Sequence, residues 1–198
     1  MTTIPAKYRT TNWSTYNAAL KSRLTAALDR QRDASWLSPQ SGNSLLNRLD
    51  MDVLKRNNVS KVILLEGIND LQLASIPNAN QVIQDLTTVI NRLHAANIKV
   101  ILGTLTPTQG TSNVPLAVLS LVLHYGSDAV NTARQQVNTW IRSQSIADGV
   151  VDFEQCLRNP QKPTQLLPAY DSGDHLHPNA LGHQAMAQCV NLNLLTAL

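Results

Sequence analysis

Three stretches of this chain hold side chains whose types and spacing could support chemistry. In DSGDHLHPN, Asp171 to Asn179, Asp174 precedes His177 by three residues, just ahead of a helical pattern. A carboxylate at that spacing can accept the imidazole Nδ1–H and leave Nε2 to take a proton. In EGIND, Glu66 to Asp70, Asn69 follows a short apolar run and the flexible Gly67, so its side-chain amide can be presented to a cleft. Ser41-Gly42-Asn43 reads as a turn opening a helix whose backbone N–H groups can point at an anion. Each also has an ordinary reading. Asn69 could be a turn former and Gly42 a left-handed turn. Asp174 could be a carboxylate favoured at a helix start, and His177 a surface histidine like His94, His124 and His183.

The elements around these stretches place all three at one edge. KVILL (Lys61 to Leu65), IKVILG (Ile98 to Gly103) and GVVDF (Gly149 to Phe153) are apolar, β-branched runs, as expected of strands buried on both faces. A further short strand is expected at Ala34 to Leu37, ended by Pro39. Between them lie helical periodicities: Asn12 to Arg30, Leu45 to Leu54, Val82 to Leu93 closed by Asn97, and Val130 to Ile141. Ala180 to Leu198 reads as a closing helix with Pro178 in its first turn. Strands alternating with helices predict an α/β fold, a three-layer α/β/α sandwich with a mostly parallel, flavodoxin-like sheet and helices on both faces. Ligands of such sheets bind outside the carboxyl ends of the strands, where the three stretches fall.

Composition narrows the function classes. The chain has 198 residues, 43% hydrophobic and 15% charged, which fits one domain over 1–198 and excludes a disordered polyampholyte. The net charge of +3 is scattered and no Lys/Arg run exceeds two residues, so no nucleic-acid partner is expected. The longest apolar stretch, Val114 to Leu123, is about half of what a membrane span needs. No metal or other cofactor is expected, because Cys156 and Cys189 lie in no metal-ligand spacing. They are read first as two buried small apolar residues, with a single bridge as the alternative.

In SGNSLLNRLDMDVL, VILLEGIND, VILGTLTP, VDFEQCLRNP and YDSGDHLHPNALGHQAM the chain resembles the SGNH, or GDSL, esterases and lipases, in the order of that family and from about Asn12 to Val190. The resemblance implies an ester hydrolase acting on a small-molecule, carbohydrate or lipid ester. Gly42 matches the oxyanion-hole glycine and Asn69, in G-x-N-D, the oxyanion-hole asparagine. Asp174 and His177 match the D-x-x-H orienter and general base. The family begins with a strand followed by G-D-S, whose serine is the nucleophile, and the chain has no G-D-S. Ser41, Ser44, Ser14 and Ser172 can be listed as substitutes, but none lies on an expected strand-to-helix elbow.

The expectation is therefore an N-terminally shortened, weakly active form that has lost a central strand, and with it any leader of a secreted protein. The strand near Trp36 would then pair directly with Lys61–Leu65, or both would keep unpaired edges. A binding module that holds an acylated sugar or lipid in the same cleft is the alternative. Acyl and alcohol specificity and oligomeric state are left open. The segment VPLAVLSLVLHYG, Val114 to Gly126, is expected as a buried crossover helix, or else as a flap beside the cleft that contacts an acyl chain.

Overall fold

The apolar runs become neighbouring parallel strands. The structure is a computed structural model, and it describes residues 45–73, 76–111, 114–116 and 121–196. Strands β1 (Lys61–Leu64), β2 (Lys99–Gly103) and β5 (Gly149–Val151) form a parallel sheet in the order β1-β2-β5. Val62 faces Val100 and Leu102 faces Val150 in the register. Alternate side chains serve opposite faces, as the period of two requires. Leu64, Val100 and Leu102 pack with helices α3 (Ala79–Ala95) and α4 (Asp128–Ser143) on one face. Ile101 and Val151 pack on the other with Phe153, Met186, Val190 and Leu194.

The two long helices follow their predicted stripes and have side-chain caps at their starts. Asn78 Oδ1 accepts the Gln81 N–H ahead of α3, and Ser127 Oγ accepts the Val130 N–H ahead of α4. Asn97, with φ 58°, turns the chain in the left-handed region after α3. The Leu45 to Leu54 pattern divides into α1 (Leu45–Leu49) and a π-type turn (Asp50–Leu54).

Four expectations need correction or completion. The backbone at Val114–Leu116 (β3) and Leu121–Leu123 (β4) forms an antiparallel ribbon, not a crossover helix. Pro115, opposite Val122 in that ribbon, lacks the N–H that a helix interior needs. The closing helix stops early: α6 spans Ala180–Cys189 and a separate turn, α7, spans Asn193–Thr196. Val190 is extended, and Asn191 Oδ1 takes the Asn193 N–H in a local turn that interrupts the helical ladder. Asn179, not Pro178, opens α6, its Oδ1 accepting the Gly182 N–H, while Pro178 bridges back to Asp171. Cys156 and Cys189 form a disulfide with a Cα–Cα distance of 6.5 Å.

Periodicity did not reveal the short helices α2 (Ile68–Leu73) and α5 (Phe153–Leu157), or the ribbon of β6 (Arg158–Asn159) and β7 (Lys162–Leu166). The expected helix at 12–30 and strand at 34–37, and with them the pairing near Trp36, lie outside the described residues. Among the described residues no helix is long and apolar enough to cross a membrane, and no three His, Cys, Asp or Glu side chains converge as a metal site would require.

Candidate functional site

The segment between β7 and α6 builds the Asp–His pair locally. His177 Nδ1 lies 2.6 Å from Asp174 Oδ2. An ionised carboxylate can only accept, so Nδ1 carries a proton, and in the neutral ring the lone pair is on Nε2. Asp174 Oδ1 accepts the Ser172 hydroxyl at 2.9 Å and the N–H groups of Leu176 and His177 at 3.0 and 2.8 Å. Partial burial works against the charged carboxylate, but the His177 N–H and ring, the Leu176 N–H and the Ser172 hydroxyl outweigh it. Asp174 is held well below the usual carboxylate range. Close packing seats this segment on α6. A Cβ on Gly182 would fall 2.7 Å from the Tyr170 carbonyl oxygen and 2.8 Å from Pro178 Cβ.

A second pair is interleaved with the first. His175 Nδ1 lies 2.5 Å from Asp171 Oδ2, and Asp171 Oδ1 accepts the N–H groups of Gly173 and His175. His175 has φ 60°, so it adopts a left-handed backbone that this pairing holds in place. The sequence signal for it was the i, i+4 spacing in D-S-G-D-H, which the D-x-x-H pair overshadows.

Asn69 lies in the first turn of α2, immediately beyond the carboxyl end of β1. Gly67 makes the turn between them. Its φ of 124° suits glycine, and a Cβ there would lie 2.7 Å from Val82 Cγ1. The Tyr125 hydroxyl donates to Asn69 Oδ1 at 2.7 Å across 56 residues of sequence. Glu66, just before this turn, is buried with Arg48 Nη2 at 3.8 Å from its Oε1. Burial pushes its carboxyl well above the usual range, Arg48 partly offsets this, and Asp70 adds to it. A cavity of about 460 Å³ lies between α1 and β1, lined by Leu45, Arg48, Val53, Val62 and Glu66 among others. Neither Asn69 nor the Asp174–His177 pair borders it.

The structure thus places Asn69, Asp174, His177 and Ser172 in defined settings. Ser172 is committed to Asp174 through its hydroxyl proton. Gly42, Ser14, Ser41 and Ser44 lie outside the described residues.

Behind the site, a charged network clamps the strand ends to α4. Arg134 Nη1 meets Glu154 Oε1 at 2.6 Å and the Leu105 carbonyl at 3.1 Å, with both side chains almost fully buried. Asn138 accepts the Leu105 N–H at 2.7 Å and donates to the Leu105 carbonyl at 2.8 Å and to Glu154 Oε2 at 3.0 Å. Thr104 Oγ1 donates to Asp152 Oδ1 and accepts the Glu154 N–H, joining the ends of β2 and β5.

Comparisons with known proteins agree with this architecture. A search of curated proteins finds no match. Solved structures do match. A GDSL-like lipase from Bacteroides thetaiotaomicron is 19% identical, with a TM-score of 0.57 over 80% of this chain and 71% of that one. A protein of the G-D-S-L family from Desulfitobacterium hafniense is 19% identical, with a TM-score of 0.54 over 75% and 76%. An acetyl xylan esterase is 22% identical, with a TM-score of 0.50 over 78% and 74%. At these identities the likeness speaks for the fold alone. The family profile for GDSL-like lipases and acylhydrolases, however, matches residues 4–185, nearly the whole sequence. With the parallel sheet and its strand-end segments in the same order, the chain belongs to the GDSL-like lipase/acylhydrolase family.

Proposed function

We propose that this chain carries the ester-hydrolysing site of its family. In this reading Asp174 orients His177, His177 Nε2 is the general base, and the Asn69 amide with the Gly42 N–H stabilises the oxyanion of the tetrahedral intermediate. The observation that carries the reading is the Asp174–His177 contact of 2.6 Å, with three further donors fixing the carboxylate. The base would take a proton from a serine hydroxyl as it attacks the acyl carbon, and return it to the departing alcohol. Water would then release the acyl group. The substrate class is a small-molecule, carbohydrate or lipid ester within a single domain spanning 1–198.

Ser172 is poorly placed for the nucleophile, because its proton goes to Asp174 and not to His177. The chain has no G-D-S tripeptide to supply the family's serine, and Ser14, Ser41 and Ser44 lie outside the described residues. We expect near-background turnover from the chain as given. The same missing tripeptide favours the second reading, a binding module for an acylated carbohydrate or lipid.

A fluorophosphonate probe and a short-chain aryl ester test both. No labelled serine and background hydrolysis are expected. Labelling with robust, His177-dependent turnover would overturn the expectation and identify the substitute serine. Absence of labelling together with saturable binding of an acylated sugar would favour the binding module.

A further inference from the structure

His175 stands inside the D-x-x-H stretch, between the orienter Asp174 and the base His177. We propose that Asp171 and His175 are positioning residues of the ester-cleaving site, whose pairing locks one costly backbone angle of this loop and so sets the direction and tautomer of the His177 ring. This inference rests on the hydrolase reading above.

The loop runs from Asp171 to Pro178, which bridge to each other, and inside that bridge the Ser172 N–H reaches the His177 carbonyl at 3.0 Å. Two of its residues have left-handed backbones, Gly173 with φ 101° and His175 with φ 60°. Glycine enters that region freely, but a residue with a Cβ is disfavoured there by about 5- to 30-fold. The His175 side chain offsets this. Its Nδ1–H meets Asp171 Oδ2 at 2.5 Å, and its backbone N–H meets Asp171 Oδ1 at 3.0 Å. A hydrogen bond to a charged group favours the state that makes it by about 10- to 150-fold, so the pairing outweighs the strain. Asp171 can serve as the fixed member. Its side chain is only 10% exposed, and its carbonyl accepts from Nδ2 of Asn179, the residue that opens α6.

The Asp174–His177 pair lies further into solvent, with side chains 50% and 39% exposed, and an exposed pair holds its geometry weakly. The backbone between the two residues aligns them. The N–H groups of Leu176 and His177 both reach Asp174 Oδ1, at 3.0 and 2.8 Å. Turning His175 out of the left-handed region swings both N–H groups, and the His177 ring beyond them, away from that carboxylate. A neighbouring loop meets the same residue from outside: Thr111 Oγ1 lies 3.0 Å from the His175 carbonyl, and a Cβ on Gly110 would sit 3.5 Å from His175 Cβ. The more exposed pair thus takes its order from the more buried one.

The test compares His175→Ala with His175→Gly in the full chain, since both delete the pair and only alanine keeps the backbone penalty. Ring ¹⁵N shifts of His177, assigned by their loss in His177→Gln, give the ratio of the Nδ1–H to the Nε2–H tautomer when read above the ordinary histidine range. The native chain should show Nδ1–H in large excess. His175→Ala should lower the ratio at least about fivefold, the lower bound of the backbone penalty, whereas His175→Gly should stay within about twofold of native. A native ratio in His175→Ala, or an equal loss in both variants, overturns the proposal. The backbone amide resonances of β1, β2 and β5 should stay in place in both, which separates a turned ring from a lost fold. If His175→Ala does not fold, Asp171→Asn removes the carboxylate that holds the His175 ring. It should lower the ratio likewise, and adding His175→Gly should restore it. An unchanged ratio in Asp171→Asn, or no recovery with His175→Gly, overturns the proposal. None of these measurements needs turnover. The fluorophosphonate probe and the aryl ester decide the hydrolase reading, and the ring shifts decide the role of Asp171 and His175 whichever way that reading falls.

Discussion

Replacing Glu154 with Gln should destabilise this fold far more than its conservative chemistry suggests. Glu154 is 1% exposed. Its Oε1 accepts from Arg134 Nη1 and Gln135 Nε2 at 2.6 and 2.7 Å, and its Oε2 from Asn138 Nδ2 and Arg142 Nη2 at 3.0 and 2.5 Å. Every neighbour is a donor, so whichever way a glutamine amide turns, its NH2 faces two donors. Arg134, fully buried, would keep only neutral oxygens as partners, those of Leu105 and Asn131 and, in one orientation, that of the glutamine amide. Breaking a buried pair on one side costs about 3–5 kcal/mol, with no cavity contribution because the volume is retained. For a chain of this size that corresponds to a Tm lowered by about 6–20 °C. Arg134→Met should cost less, because Glu154 keeps Arg142, Gln135 and Asn138. The double variant should cost less than the sum of the two.

The pH dependence adds a separate check. Burial alone would raise the Glu154 carboxyl, but Arg142 and Arg134 hold it below its usual value. Its contribution is therefore complete above the ordinary carboxylate range and is lost as pH falls through the lowered value. Native protein should lose stability in acid more steeply than Glu154→Gln. Urea titrations of the three variants at several pH values measure all of this. A Glu154→Gln cost under about 1 kcal/mol, or strict additivity with Arg134→Met, would refute the reasoning.

Two further outcomes concern the segment that carries His177. The Cys156–Cys189 bridge closes 33 residues of sequence containing both Asp–His pairs, so the double serine variant should lose about 2–4 kcal/mol. A melting curve unchanged by the substitution, or by reductant on the native chain, would contradict this. Asp174→Asn sets an amide N–H against His177 Nδ1 and should move the ring proton to Nε2, the wrong tautomer for a base. Ring ¹⁵N shifts report that directly, and an unchanged tautomer would show that Asp174 does not set it. Because the Asp174 carboxyl is held low, the ordering it provides is complete above the ordinary carboxylate range and fades as pH falls through its lowered value. The His177 environment should respond to strong acid in the native chain and not in Asp174→Asn.

How much of this was legible in the sequence depends on how far each signal reaches along the chain. The strands Lys61–Leu64, Lys99–Gly103 and Gly149–Val151 declared themselves because apolar side chains pack from both of their faces, leaving uninterrupted β-branched runs. The Asp174–His177 pair declared itself because three residues and one turn are enough to make it. Helix Ile68–Leu73 did not, because six residues behind a glycine are too short to show a period. The ribbon of Val114–Leu116 and Leu121–Leu123 did not either, since a stretch apolar at nearly every position carries neither the helical nor the strand rhythm.

The charges of Arg134 and Glu154 were invisible in another way. On a helix each reads as a solvated side chain, and only tertiary packing turns them inward and makes their pairing necessary. The same reach separates the two halves of the candidate site. Asp174 and His177 are set by local bonds and survive as a motif, whereas the Asn69 amide oxygen takes a hydrogen bond from a hydroxyl 56 residues away. A motif can name a side chain; which distant group meets its amide is decided by the fold.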